Sequence, residues 1–433
     1  MDFSINVGLF SAVLANCQTA VTSLQLSRQS MGRALCVADV ERGVLSVSVT
    51  GLSGHFKQEI KAQVREPGAV MLSIPSVLRV LKLSDKGGVF GFDLLDGIPG
   101  HEADGAYYRL RYPVKAPGVG DPVSVQYAKA DGSDMLVTPA KLAISPLCVD
   151  WSKARSIRVP AGLFTQASEL FDPARSAGVK AKEMQVHLDI EAGDEIWFAT
   201  TSGAVTAIFR AAVAVDGLEG GLQAAVPFET FGALPALLKA FPDPMVDVLF
   251  PLGPSGQAAA VKVVGVGWEC YVETVSAHRV QPNPRKREWN RQLPVQANVV
   301  VTRTGPGGGQ LLDLLRQAEA FRASGIAVAV DRSASQLTIK ASSLIGRCDL
   351  IWPIIDMAEG AAVPGDWDIV LQPRTIRAAV DALPDEGMAD RLELQFLAGA
   401  GAWEAEQTAV LALRSEVADG SADALLYLAG TSR

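Results

Sequence analysis

One phrase recurs along this chain of 433 residues: an apolar strand, a proline near its end, and an amphipathic helix. Three of these prolines, Pro75, Pro227 and Pro373, are 152 and 146 residues apart. Proline favours the first turn of a helix, because its φ angle is fixed near the helical value and its missing N–H would be unbonded there. The regular spacing therefore predicts three copies of one structural unit.

Each copy is predicted to contain two similar halves. Pro160 marks a further junction, and two more junctions keep the strand-to-helix switch without a proline, from Phe3 to Val7 and from Val299 to Gln310. Short runs rich in Val, Ile, Thr and aromatic residues follow each helix, separated by Gly or Asp turns, and these runs indicate three strands. Six half-units of strand, helix and three strands predict an α+β fold of antiparallel meanders with helices on one face.

Two stretches do not match the half-unit. Residues 97–150 are rich in Pro and Gly, and we interpret them as an insertion that carries an extra hairpin at 107–112 and 123–127. Residues 277–296 contain several Arg and Lys residues and read as a solvated linker. The predicted domains, each of ordinary domain size, are 1–150, 151–290 and 291–433.

Composition narrows the class of protein. Hydrophobic residues make up 48% of the chain, but no apolar run reaches the roughly 20 residues of a membrane helix, so we expect no membrane association. No basic segment precedes an apolar stretch at the N-terminus, and the five cysteines are scattered, which indicates reduced thiols and a cytoplasmic protein. The net charge of −8 leaves nucleic-acid binding open, because the distribution of charge over the surface decides it.

Little in the sequence indicates catalysis. The four histidines, His55, His101, His187 and His278, lie far apart and form no zinc-binding spacing with cysteine. We therefore expect no catalytic residue, no metal and no cofactor.

A glycine-rich segment supports one alternative. Gly305-Pro306-Gly307-Gly308-Gly309 follows a predicted strand and precedes a helix, a context in which backbone N–H groups can bind a phosphate. The segment lacks the Lys-Ser/Thr of a P-loop, and a lengthened loop explains it more simply. A nucleotide-dependent enzyme is therefore an alternative reading, and a structural or virion protein that assembles through the same repeat is another.

Four segments carry a family resemblance, namely residues 157–171, 197–209, 225–241 and 424–428. They resemble the first helix, the turn and the second helix of the middle domain, and the last strand, of the bacterial DNA sliding clamp (DNA polymerase III β subunit) family. The resemblance extends to the whole three-domain repeat. Two departures are visible: the turn at 199–205 lacks the family's His-Arg, and Ala429-Gly430-Thr431-Ser432-Arg433 replaces its usual Met-Pro-Met-Arg-Leu terminus.

The resemblance implies a function without catalysis. It implies a processivity factor that encircles double-stranded DNA without sequence preference and tethers DNA polymerase and clamp-loader peptides, in the bacterial nucleoid or a phage-infected cell. Helices would line the inside of a ring and sheets the outside. Two chains would close the ring head to tail as a homodimer, and we expect residues 89–94 and 408–414 to form the closing strands.

Basic residues on the helices, and on the loops that follow them, are the candidates for DNA binding, because Lys and Arg neutralise phosphates irrespective of sequence. Polar helix faces commonly carry Lys and Arg for solubility alone, so the recurrence of these residues in all three repeats is what favours the functional reading. The candidates are Arg28, Arg33, Arg79, Lys82, Lys86, Arg175, Lys180, Lys182, Lys239, Arg316, Arg322, Arg374 and Arg377.

The resemblance also implies a groove for a short apolar partner peptide. By position, its lining would include Thr200, Gly203, Val205 and Leu428. Exposed backbone groups beside a shallow apolar pocket suit an extended peptide. Ordinary strand-end residues would explain the same pattern, and the sequence leaves both readings open.

Overall fold

A computed structural model describes the fold of most of the chain. The described residues are 1–23, 32–51, 54–96, 105–113, 123–133, 136–143, 149–176, 183–191, 195–213, 221–241, 243–251, 258–286, 295–305, 307–321, 325–331, 333–344, 346–357, 367–383, 391–398, 408–416 and 422–431.

The predicted half-unit is confirmed in residues 1–150. The first half-unit consists of β1 (Asp2–Asn6), α1 (Val7–Ser23), β2 (Arg33–Asp39), β3 (Val44–Thr50) and β4 (Gly54–Lys61). The second consists of β5 (Gln63–Glu66), β6 (Gly68–Ser73), α2 (Ile74–Lys82), β7 (Val89–Leu95), β8 (Tyr107–Pro113), β9 (Val123–Lys129) and β10 (Val137–Pro139).

The same order recurs in residues 151–290. The third half-unit has β11 (Arg155–Pro160), α3 (Gly162–Leu170), α4 (Asp172–Ser176), β12 (Gln185–Glu191), β13 (Glu195–Thr201) and β14 (Val205–Ala212). The fourth has β15 (Leu222–Pro227), α5 (Phe228–Phe231), α6 (Leu234–Leu238), β16 (Met245–Phe250), β17 (Ala260–Gly265) and β18 (Trp268–Glu273).

Residues 291–433 complete the series. The fifth half-unit has β19 (Val295–Thr302), α7 (Leu311–Ala320), β20 (Ile326–Asp331), β21 (Gln336–Ser343) and β22 (Gly346–Met357). The sixth has β23 (Trp367–Leu371), α8 (Pro373–Ala382), β24 (Arg391–Ala398), β25 (Thr408–Glu416) and β26 (Ala422–Thr431). The described residues thus form six half-units of strand, helix and three strands, as the sequence predicts.

The interpretation of residues 97–150 as carrying an extra hairpin is wrong. β8 and β9, at the predicted positions, are the second and third strands of the second half-unit and pair in order after β7. A Pro/Gly-rich stretch separates these two strands from β7 in sequence, so they resemble an insertion although they belong to the half-unit.

Half-units are interlocked in pairs. The strand before each helix pairs with a strand of the other half: β1 with β7, and β6 with β2. The same exchange joins β11 to β16, β15 to β12, β19 to β24, and β23 to β20. Neither half of a pair can complete its sheet alone.

Contacts within the chain divide it into two compact units. Unit 1 comprises Met1–Ala161, Gly232–Gly253 and Ala259–Thr274. It contains a five-stranded sheet, β5-β1-β7-β8-β9, and a nine-stranded sheet, β10-β6-β2-β3-β4-β18-β17-β16-β11. α1 packs on β3 and β4 and also contacts α2 and α6, so the helices of this unit share one face of the sheets.

Unit 2 comprises Gly162–Phe231, Pro254–Ala258 and Val275–Arg433. Its twelve-stranded sheet runs β15-β12-β13-β14-β26-β23-β20-β21-β22-β19-β24-β25, with a further pairing of β25 to β26. α3 and α4 pack on β14, α7 on β21 and β22, and α8 on β26. The described helices of this unit, although amphipathic, are short, and none in the described chain has the length and apolarity of a membrane span.

The third strands of the half-units join neighbouring repeats. In unit 1, β4 pairs antiparallel with β18. In unit 2, β14 pairs antiparallel with β26. Each pair combines the third strand of a first half-unit with the third strand of the next repeat's second half-unit.

The strands expected to close a ring, residues 89–94 and 408–414, are not sheet edges, so this expectation is wrong. β7, which contains 89–94, lies between β1 and β8. β25 lies between β24 and β26. Both therefore have their backbone groups paired on both sides.

Candidate nucleic-acid interface

Three of the predicted basic residues meet in one cleft of unit 2. α4 and α8 form its walls, and the cleft has a volume of about 850 Å³. Its charged lining residues are Glu169, Asp172, Asp381, Arg175, Arg374 and Arg377.

The pattern of α8 explains which side chains reach the cleft. Ile376, Ala379 and Val380 are buried. Arg374 and Arg377 are three residues apart and therefore lie on a neighbouring face, towards the cleft. Pro373 starts the helix with no side-chain cap at the preceding residue, as its fixed φ angle allows.

The three arginines differ in availability. Arg377 is partly neutralised, because its Nε lies 2.6 Å from Oε2 of Glu319 on α7. Arg175 and Arg374 are exposed and form no ion pair within the described part of the chain. Desolvation raises the pKa of the Asp172 carboxyl, although the charge of Arg175 acts in the opposite direction. The cleft thus offers two guanidinium groups without an ion pair, in a lining that also contains the carboxyl groups of Glu169, Asp172 and Asp381.

Unit 1 carries a second basic group, on and after α2. Arg79, Lys82 and Lys86 are exposed and have no ion pair among the residues that the structure describes. Val77 and Leu81 on the same helix are buried, so Arg79 and Lys82 occupy its solvent face, and Lys86 lies in the loop that follows. The expected shared helix face therefore holds for Arg79 and Lys82 but not for Lys86, because the helix ends at Lys82.

The remaining described candidates are scattered over the surface, and one of them is paired with a carboxylate. Lys239 is exposed at the end of α6, Arg33 begins β2 opposite Ser73, and Arg316 binds Asp313 at 2.9 Å. Four further candidates lie outside the described residues: Arg28, Lys180, Lys182 and Arg322.

α1, the longest described helix of unit 1, bears no charged residue at all. Asn16 instead donates to Oε1 of Gln58 at 3.1 Å, and Thr19 and Thr22 donate to carbonyls one turn earlier. An uncharged helix of this kind adds no phosphate-binding charge.

The residues predicted for the partner-peptide groove lie together at the junction of β14 and β26. Val205 is the register partner of Leu428, and both side chains are fully buried. Thr200 is also buried and donates from Oγ1 to the carbonyl oxygen of Gln185 at 2.8 Å. Gly203 alone is exposed, at a φ angle of +87° that the tight turn requires and that favours glycine.

Hydrogen bonds close this turn from within. The hydroxyl groups of Thr201 and Thr206 form a hydrogen bond of 2.9 Å, and the N–H of Gly203 donates to Oγ1 of Thr201 at 3.2 Å. The N–H of Ala429 donates to the carbonyl of Ala204 at 2.9 Å. The exposed surface at this junction is therefore backbone and small side chains rather than an open apolar groove.

The glycine-rich segment is also bonded internally. The N–H of Gly305 donates to the carbonyl of Gly309 at 2.8 Å, and that of Gly308 to the carbonyl of Gly305 at 3.0 Å. The indole of Trp352 covers Gly305 so closely that a Cβ there would come within 2.9 Å of the ring. Two N–H groups that a bound phosphate would need are thus used by the loop itself.

Nothing in the described residues indicates a metal centre, since no three His, Cys, Asp or Glu side chains cluster there. His55 and His187 are buried in different units, and His278 is exposed.

The fold matches solved structures along its whole length. A putative DNA polymerase III β subunit from Eubacterium rectale aligns with a TM-score of 0.70 at 10% identity, over 100% of this chain and 99% of that chain. The DNA polymerase sliding clamp from Bacillus subtilis gives 0.68 at 12% identity, with the same coverage. That from Pseudomonas aeruginosa gives 0.66 at 14%, again over 100% and 99%. The chain has the fold of a bacterial DNA sliding clamp.

At these identities the similarity to sliding clamps establishes the fold alone. No protein-family model matches the sequence, and no curated protein matches it. The clamp fold is thus retained in a chain whose side chains have diverged widely.

Sequence reasoning missed one polar cluster of this clamp fold. Residues 277–286, read as a solvated linker, lie on the sheet of unit 2 instead, where Arg285 stacks on Trp197 and approaches the buried carboxylate of Asp189. Asp189 and Trp197 are opposite each other on β12 and β13, far from Arg285 in sequence. The one available signal was the alternation of β12, which places Gln185 and Asp189 on the same polar face of the strand.

Proposed function

We propose that the protein is a DNA sliding clamp, a non-enzymatic processivity factor that encircles duplex DNA and tethers a polymerase. The observation that carries this proposal is the full-length match to sliding clamps together with six half-units whose helices share one face of the sheets. DNA would lie against the helices, where the Arg175–Arg374 cleft and the Arg79, Lys82 and Lys86 group supply phosphate-binding charge.

A second chain would close the ring. Of the six third strands, β4 pairs with β18 and β14 with β26, which leaves β9 and β22. Among the described residues, β9 ends the five-stranded sheet, and residues 346–353 of β22 pair on one side only, with β21. These two edges are equivalent to the pairs already formed, so a head-to-tail dimer would repeat the same junction.

Side chains beside both edges support this pairing. On β9, Val123, Val125 and Tyr127 are 59%, 43% and 41% exposed, and on β22, Ile351 and Ile355 are 56% and 49% exposed. An unpaired, apolar strand edge is a template for association with another strand. Burial of these residues between two copies would remove the exposure.

Topological retention on DNA tests the clamp proposal. Once loaded, or assembled around DNA by incubation, the protein should stay on nicked circular DNA through gel filtration and be lost when the circle is linearised. Equal retention on circular and linear DNA would contradict the proposal. Sedimentation at micromolar concentration should give twice the chain mass of 45.7 kDa.

The residues around Thr200, Gly203, Val205 and Leu428 are proposed as part of a partner site. Support comes from their meeting at one β14–β26 junction with an exposed turn at Gly203. Because three of the four side chains are buried, recognition there would use the turn's backbone and its flanks.

A further inference from the structure

The segment at residues 277–286 lies against the side of unit 2's sheet that faces away from α3. Phe198 on β13 packs against Phe164 of α3, with ring centroids 5.8 Å apart. Successive side chains of a strand point to opposite faces, so Trp197 and its register partner Asp189 point away from the helix. We call residues 279–285 the connector strap and the surface beneath it the seat.

Gln185 holds the first part of the strap as a neighbouring strand would. Its Nε2 donates to the carbonyl of Arg279 at 2.8 Å, and its Oε1 accepts from the N–H of Gln281 at 2.9 Å. Two backbone groups, two residues apart and on the same side, are thus bound by one side-chain amide. The side chain of Gln281 also donates to the carbonyl of Glu183 at 2.9 Å.

Asp189 and Trp197 bind the second part of the strap through charge. The Asp189 side chain is 5% exposed; it accepts a hydrogen bond from Asn283 and lies 3.8 Å from Nη1 of Arg285. The guanidinium carbon of Arg285 lies 3.7 Å from the centroid of the Trp197 ring. A buried carboxylate is costly without a cationic partner, and a guanidinium stacked on an indole is attracted by the ring.

The seat adjoins the proposed partner site. The carbonyl of Gln185, whose side chain holds the strap, accepts the hydroxyl hydrogen of Thr200 at 2.8 Å. An extended segment that docks beside Thr200 would therefore meet the strap at Gln185.

We propose that Gln185, Asp189 and Trp197 form a docking seat for a partner segment with an arginine two residues after an asparagine, and that the connector strap occupies this seat until such a segment displaces it. The chemistry of the resident strap defines the chemistry of the partner. Pro282 and Pro284 flank Asn283, whose Oδ1 accepts a hydrogen bond of 3.0 Å from the N–H of Arg285 at the start of the 3-10 turn Pro284–Lys286, so the end of the strap is ordered by its own sequence. Tethering gives the strap a high effective concentration, so a partner must compete with it. The seat goes beyond the clamp proposal and does not depend on DNA encirclement.

Peptide binding to the full chain tests the seat. The probe is a fluorescently labelled synthetic peptide with the sequence of residues 279–287, and the readout is anisotropy. We expect weak binding to the unaltered protein, because its own strap occupies the seat. Asn283→Ala with Arg285→Ala should release the strap and strengthen peptide binding at least about tenfold, given millimolar effective concentrations for short tethers. Adding Asp189→Asn should return binding to the unaltered level.

A matched control lies in the same strap. Arg279 is exposed and contacts the seat through its backbone carbonyl, so Arg279→Ala removes the same charge without opening the seat and should bind the peptide as weakly as the unaltered protein. The peptide should also raise the Tm of the doubly substituted protein. If that protein does not fold, Arg285→Lys, which keeps the charge but loses the planar stack, should give an intermediate gain. Equal peptide binding by the unaltered and opened proteins would overturn the seat, and the DNA-retention result would be unaffected.

Discussion

At the scale of single residues, the buried ionisable groups have structural partners, and the exposed ones supply the surface charge. His55 is a clear case in unit 1. It pairs in register with Tyr271 across the β4–β18 junction, and the two rings stack with their centroids 5.2 Å apart. The Nδ1 of His55 and the Oγ1 of Thr50 form a hydrogen bond of 2.8 Å. Burial, partly opposed by Glu269 and reinforced by Lys57 and Lys262, lowers the pKa of His55 to about 4.

This depressed pKa predicts acid sensitivity. Between the unfolded value near 6.5 and about 4, the folded protein binds fewer protons than the unfolded chain, so the free energy of unfolding falls as pH decreases through that range. The expected loss attributable to His55 approaches about 3 kcal/mol. His55→Asn, which keeps a partner for Thr50, should flatten this part of the pH profile in urea unfolding measured from pH 7 to 4. A profile parallel to that of the unaltered protein would contradict the assignment.

The cleft arginines predict the salt dependence of DNA binding. Arg175→Ala and Arg374→Ala together should weaken binding to short duplex DNA irrespective of sequence, and each lost phosphate contact should reduce the slope of log affinity against log salt by about one. Arg158→Ala, an exposed arginine on β11, is the matched control and should leave the slope unchanged. Fluorescence anisotropy over a salt series measures the affinity and the slope for each variant. A cleft variant whose slope equals that of the Arg158→Ala control would exclude Arg175 and Arg374 from the interface.

At the scale of elements, the same half-unit tolerates loops of different length, because its strands and helix are held by the partner half. The glycine-rich segment is such a lengthened loop. It joins β19 to α7, and the indole N–H of Trp352 on β22 donates to the carbonyl of Thr302 at 2.7 Å beside it. Its glycines let the chain pass under an aromatic ring.

Two glycines of this loop predict opposite outcomes. Gly305→Ala places a Cβ within 2.9 Å of the Trp352 ring and should lower the free energy of unfolding by about 1–3 kcal/mol. Gly309→Ala meets open space and should change it by less than about 0.5 kcal/mol. Denaturant unfolding compares the free energies of unfolding of the two variants.

The same loop also tests the enzyme alternative. Nucleotide binding that is saturable and lost in Gly307→Trp would favour that alternative over the clamp proposal.

The free strand edges predict how to separate two chains. Val125→Lys on β9 puts a charge into the proposed apolar junction and should raise the dimer dissociation constant at least about tenfold. Val266→Lys is the control, because Val266 is 87% exposed at the β17–β18 turn. Analytical ultracentrifugation should show monomers for the first variant and unaltered dimers for the second. A dimeric Val125→Lys protein would show that another surface holds the chains together.

At the scale of the whole molecule, the middle repeat shares its sheets with both neighbours. Its strands β11, β16, β17 and β18 belong to unit 1, where β18 pairs with β4, and its strands β12 to β15 belong to unit 2, where β14 pairs with β26. The predicted domain boundaries near 150 and 290 follow the repeat in sequence, whereas the compact units follow strand pairing.

This sharing predicts that residues 151–290 do not fold as an isolated fragment. Excision would expose the edges of β14 and β18 along their lengths, together with the apolar groups that these pairings cover. We expect aggregation, or a circular dichroism spectrum without a cooperative thermal transition. The full chain is the control, and a monomeric fragment that unfolds cooperatively would contradict the prediction.

The sequence by itself determined the repeat, the half-unit and most strand positions, because apolar periodicity and the prolines at strand ends are local signals. It also placed Arg374 and Arg377 on one helix, since their spacing fixes their shared face. Only the tertiary structure decided which strands are edges, that Arg175 joins these arginines in a cleft, and that the connector strap rests on Asp189 and Trp197. Each of those facts depends on pairing between residues distant in sequence, which no local pattern encodes.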